Sequence, residues 1–172
     1  MTDKIAIIID TSASMTYDPG HGFTWTHRPP HRGDFLKDWP MGALAIDIGK
    51  RIADDGGTIV QPHSVPTTVD IFAFGVGGGG VPPKKYKSFD ELPAPSGGTP
   101  MTDCLEYLID QDYDKIYAIS DGMPNRPATG PWPDSVATIF VIPTIEEASN
   151  ILERMVHSDP HTAATIIAAF IL

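Results

Sequence analysis

A chain of 172 residues, 41% hydrophobic and 20% charged, is sized and composed for one soluble globular domain over 1–172 with a real core. Its formal net charge of −10 works against nonspecific nucleic-acid binding, which needs lysines and arginines to neutralise phosphates. It has no apolar run of bilayer length, no secretory-signal pattern at its start and a single cysteine, Cys104; a cytoplasmic protein without membrane or nucleic-acid partners is the expectation.

Ile5-Ala6-Ile7-Ile8-Ile9 is a continuous apolar run and predicts a buried strand ending at Asp10-Thr11-Ser12-Ala13-Ser14. Residues 16–40, rich in Pro, Gly, His and aromatics, predict an inserted loop. Its His21, His27 and His31 lack a zinc spacing and a cysteine partner, and read as solvent-facing. A helix is predicted from about Pro40 to Asp54, capped by Asp38 and ended by Gly56-Gly57. Met41, Leu44, Ala45, Ile48 and Ile52 form its apolar stripe, and Trp39 should pack at its start. Thr68 to Phe74 reads as a strand and Gly77 to Gly80 as a flexible turn. A short edge strand is placed near Tyr86, and Lys84, Lys85 and Lys87 read as a solvated loop.

Thr99-Pro100 opens a second helix with Cys104, Leu105 and Leu108 inward, so Cys104 reads as core. Lys115 to Ser120 predicts a strand, 122–134 a loop and Val136 to Ile142 another strand. Thr144-x-x-Glu147 is a capping box for a helix with a stripe of Ile145, Ala148, Ile151, Leu152 and Met155. The apolar tail, Ala163 to Leu172, reads as a final strand, with a short buried helix as the alternative. This alternation argues an α/β fold: a Rossmann-like, doubly wound, mostly parallel sheet with helices on both faces.

Three of these segments end in oxygen donors where strands stop or helices start: Asp10, Ser12 and Ser14; Thr99; and Asp121 of Ser120-Asp121-Gly122. In a parallel sheet such positions converge in one crevice. All five are hard oxygen ligands, which favours Mg²⁺, Mn²⁺ or Ca²⁺ over Zn²⁺. Taken singly, each residue has a plainer role: turn polarity for Asp10, Ser12, Ser14 and Asp121, and a helix cap for Thr99. Together and in order they make a candidate metal site.

The phrases Asp-Thr-Ser-Ala-Ser-Met, Gly-Gly-Thr-Pro-Met-Thr-Asp and Ile-Ser-Asp-Gly-Met-Pro-Asn resemble those of von Willebrand factor type A domains. The five residues match that family's metal-ion-dependent adhesion site, Asp-x-Ser-x-Ser, then Thr, then Asp-Gly. The resemblance implies a non-enzymatic protein-binding module. Its divalent cation would keep one position for an acidic side chain of another protein. It also admits a subunit role in a larger assembly, for instance with a ring ATPase, as in some intracellular relatives. Two departures stand out: the long insertion after Ser14, and a chain that stops short of the family's further C-terminal helix. A competing reading makes Asp10 the nucleophile of a Mg²⁺-dependent hydrolase or phosphotransferase. Against it, haloacid-dehalogenase-like enzymes carry a second Asp where this chain has Ser12. Trp25, Trp39 and Trp132 flank the presumed face, and the loops 16–40 and 122–134 are expected to frame it.

Overall fold

In the computed structural model, which describes residues 3–17, 33–54, 67–75, 80–122 and 124–172, the apolar runs become the centre of a sheet. The strands are β1 (Asp3–Asp10), β2 (Thr67–Phe74), β3 (Lys84–Tyr86), β4 (Lys115–Ser120), β5 (Val136–Ile142) and β6 (Ile166–Ile171). They form a six-stranded sheet in the order β3-β2-β1-β4-β5-β6. All pairings are parallel except that of β3 with β2. The chain runs outward from β1 to β3, then crosses to the other side of β1 to continue with β4. That reversal opens a crevice beyond the carboxyl ends of β1 and β4.

Alternation along the strands divides the core in two. Ile5, Ile7 and Ile9 of β1, Tyr117 and Ile119 of β4 and Ala137, Ile139 and Val141 of β5 face α1 (Pro40–Asp54). The opposite residues, Ala6, Ile8, Phe72, Phe74, Ile116 and Ala118, pack on α2 (Met101–Ile109). Phe140 and Ile142 extend this second face beneath Met155 of α3 (Ile145–Ser158). A one-turn α4 (Pro160–Ala163) leads into β6. The architecture is thus the expected α/β sheet with helices on both faces. No described helix is long and apolar enough to cross a membrane.

Met41, Ala45, Ile48 and Ile52 are buried on α1 as their spacing requires, and Leu44 packs against them. Trp39 and Cys104 are buried. Burial pushes the Cys104 thiol up to about 12, with the neighbouring Asp103 charge adding to it, so it behaves as an inert core residue. Thr144 accepts the Glu147 amide at 3.2 Å, the backbone half of the expected capping box.

Several local expectations change. Asp38 does not cap α1: it ends a 3-10 turn (Leu36–Asp38), and its carboxylate accepts the Phe35 amide. The second helix starts at Met101, with Pro100 as its cap. Ile145 lies 70% exposed at the first position of α3, outside the buried stripe. Lys84 and Lys85 lie in the edge strand β3, not a loop, and Lys85 pairs with Asp70 at 3.3 Å. The tail is the expected strand, β6, over Ile166–Ile171; the one-turn α4 precedes it and takes in only Ala163, so the helical alternative does not hold. His21, His27, His31, Trp25, Gly56-Gly57 and Gly77 fall outside the described residues.

Gly42 lets the 3-10 turn lie directly on α1. A Cβ there would stand 2.1 Å from the Leu36 carbonyl oxygen and 2.6 Å from Leu36 Cγ. Alanine is worth about 1 kcal/mol more than glycine in a free helix. Here overpacking should reverse the sign, and Gly42→Ala is expected to destabilise by about 1–3 kcal/mol in a denaturant titration.

Candidate metal centre

The last residues of β1 and β4 are neighbours in register. Ile9 pairs with Ile119, and each strand's next side chain, Asp10 and Ser120, turns to the α2 face. Asp10 and Ser120 are both 0% exposed. Ser120 Oγ donates to Asp10 Oδ2 at 2.8 Å. The other Asp10 oxygen, Oδ1, accepts the Ser12 amide at 2.7 Å, which bends the chain out of β1. Ser12 then begins a 3-10 turn (Ala13–Thr16), anchored by Met15, which is wholly buried among the α1-face residues.

That turn brings the second serine back over the crevice. Ser12 Oγ and Ser14 Oγ are 2.9 Å apart, and Ser14 Oγ donates to Asp121 Oδ1 at 2.8 Å. Asp121, one residue past β4, is 6% exposed. Its carboxyl is pushed well above the usual carboxylate range, first by burial, then by the charge of Asp10 and a hydrogen bond with it. The Ser14 hydroxyl pulls in the opposite direction and is outweighed. Two carboxyls thus share a buried crevice, held by hydrogen bonds but, among the described residues, by no ion pair.

Thr99 joins through the backbone. The Ala13 amide donates to the Gly97 carbonyl at 2.9 Å, and the Ser96 amide to that of Thr11 at 2.8 Å. The 96–99 loop is therefore tied to the turn carrying both serines. On its far side the Thr99 amide donates to Asn125 Oδ1, and the Asn125 amide to the Thr99 carbonyl, each at 2.9 Å. Asp10, Ser12, Ser14 and Asp121 are brought together by side-chain contacts, and Thr99 lies on the adjoining loop. Among the described residues no group of three or more His, Cys, Asp and Glu side chains is placed to hold a metal. A cation here would therefore have to use the hydroxyls.

The arrangement suits that use. A hydroxyl has one proton and two lone pairs. The Ser14 proton is drawn to Asp121 and the Ser120 proton to Asp10, which leaves lone pairs for a cation. Ser120 and Asn125 were not among the expected site residues. Ser120 is legible from period two, because it stands in the same phase of β4 as Asp10 does of β1. Asn125 leaves no such trace, since it acts through the fold of a loop.

The loop 122–134 frames the crevice only at its start. A parallel connection must return along the whole sheet. Arg126 is already held at 2.6 Å by both Asp103 and Glu106 of α2. Trp132 is packed on the α2-face cluster and donates its Nε1 to Thr162 Oγ1 at 3.0 Å. Pro133 then accepts the Val136 amide at the start of β5, at the opposite end of the sheet. Trp132 is thus removed from the presumed binding face. No protein-family model matches the chain, and comparison with curated proteins finds no match.

Proposed function

We propose that this chain is a metal-dependent protein-binding domain of the von Willebrand factor type A kind, with Asp10, Ser12, Ser14, Thr99 and Asp121 holding a Mg²⁺-class ion. One observation carries the reading: two buried carboxyls lie at the switch point of the sheet, Asp10 accepting the Ser12 amide and the Ser120 hydroxyl, and Asp121 accepting the Ser14 hydroxyl, which is paired with that of Ser12. Such a pair is poorly compensated without a cation, and all its donors are hard oxygens. A bound cation would supply positive charge and a position open to a carboxylate of another protein. Asp10 and Asp121 provide the charge that retains it, while Ser12, Ser14 and Thr99 are neutral, which keeps the site short of anionic ligands. The partner supplies the missing one.

The same geometry weighs against Asp10 as a nucleophile. Both its oxygens already accept hydrogen bonds and the residue is fully buried. An assembly role, with a ring ATPase as one example, is compatible with the binding-domain reading, since both rest on protein contact.

The test is thermal melting in EDTA and with Mg²⁺ or Mn²⁺, followed by partner retention from a native extract under both conditions. Metal at about 100 times its Kd adds about 2.7 kcal/mol, which for a chain of this size is about 5–10 °C. Retention in Mg²⁺ with release by EDTA is the expected companion result. Identical melting in EDTA and in millimolar Mg²⁺, Mn²⁺ or Ca²⁺ would remove the basis of the proposal.

A further inference from the structure

The two edges of the sheet are built differently. β3 is a three-residue edge strand, and its exposed Lys84 and Lys85 discourage another strand from adding there. β6 is twice as long, Ile-Ile-Ala-Ala-Phe-Ile, and residues 163–172 contain no charged side chain and no proline. Ile167, Ile171 and Leu172 remain 51%, 46% and 40% exposed, and Val156 on the overlying α3 is 58% exposed.

The backbone of β6 shows which groups are left over. Strand amides and carbonyls point alternately to either side. The Leu172 amide donates inward to the Ile142 carbonyl at 2.9 Å. Phe170 shares that phase, so the amides and carbonyls of Ala169 and Ile171 point outward, away from β5. An apolar edge with unspent, regularly spaced donors and acceptors calls for a strand.

We propose that this strand is β6 of a second copy, added antiparallel about a two-fold axis to make one sheet across two chains. Charge favours this occupant. A two-fold contact presents the same patch on both copies, and a chain of net charge −10 repels itself over any acidic face. The β6 edge has no charged side chain to oppose and is matched to itself in apolar character. One consequence rests on the metal-site reading: antiparallel pairing sends the carboxyl ends of the two β6 strands in opposite directions. The two candidate metal crevices would then face away from each other, and a dimer would bridge two partners instead of gripping one twice.

The experiment is the solution mass of the full chain by light scattering across a wide concentration range, in EDTA so that the metal site plays no part. The expected mass is twice the monomer value of 18.6 kDa. Ala169→Pro removes an outward amide at a position where an edge strand tolerates proline, and Ile171→Lys puts a charge on the apolar edge strand of each copy, the device by which edges resist pairing. Both variants are expected to remain folded by circular dichroism and to run as monomers. If Ala169→Pro fails to fold, Ile171→Lys decides the matter alone. A parent that stays monomeric at every concentration overturns the proposal and leaves the edge to a strand of another protein. So does a dimer that survives in Ile171→Lys, or an open-ended series of larger species.

Discussion

Asp121→Ala is expected to abolish stabilisation by Mg²⁺ while leaving the melting temperature in EDTA unchanged or raised. Loss of a buried side chain usually costs stability, so the sign needs argument. Asp121 lies beyond the last residue of β4, outside the apolar clusters, and its truncation opens no large apolar cavity. Its folded carboxyl is held above its unfolded value by burial and by Asp10. The folded state therefore retains a proton that the unfolded state releases. Stability then falls as pH rises through the ordinary carboxyl range toward the raised value, and Asp121 opposes folding at neutral pH without metal. Deleting it removes that opposition, and each ~1 kcal/mol recovered is worth about 2–4 °C. The gain should shrink as the buffer is taken down through the ordinary carboxyl range and vanish below it, where the carboxyl is protonated in both states. Melting parent and variant in EDTA at neutral and acid pH, then titrating both with Mg²⁺, separates the effects. A variant that keeps the parent's Mg²⁺ increment would show that the cation, if bound, sits elsewhere.

The sheet was readable because its strands are short apolar runs, Ile5 to Ile9 and Ile116 to Ile119 above all, and alternation with helical stripes leaves few topologies. Four of the five expected site residues meet because parallel register carries Asp10 and the end of β4 to one place. What sequence could not show is side-chain choice among near-equal partners. Asp38 precedes a helix by two residues, which is a cap's position, yet Phe35 offers a free amide in the turn before it. Ile145 fits a helical stripe by spacing, but as the first residue of α3 it lies beyond the sheet's cover. The 122–134 loop has no periodicity. Its return from the crevice to the far end of the sheet, with Trp132 carried away from the site, follows from β4 and β5 being parallel. The expected loop at 16–40 is described only at its margins, as a 3-10 turn on each side and the start of α1.

Phe74→Ala should produce the largest loss of stability beside the site, about 3–5 kcal/mol, or roughly 6–20 °C in melting temperature at about 2–4 °C per kcal/mol. Phe74 is the last residue of β2, paired with Asp10 in register and 0% exposed. Its ring fills the second core face with Ala6, Ile8, Met101 and Leu105. Its carbonyl does different work, accepting both the amide and the hydroxyl of Thr11 at 2.9 Å. Gly75 follows at φ +125°, and a Cβ there would stand 3.0 Å from the Thr11 backbone. The Thr11 bend that presents Ser12 and Ser14 is thus held by backbone, which alanine at position 74 retains. The Mg²⁺ increment in Phe74→Ala should therefore survive well below its lowered melting temperature, measured by chemical denaturation with and without metal. Asp121→Ala and Phe74→Ala form opposed cases at neighbouring strand ends: one loses the metal response and keeps the fold, the other weakens the fold and keeps the response. If Phe74→Ala loses both, the crevice depends on core packing beneath it and the hydrogen bonds to Thr11 do not suffice to shape it.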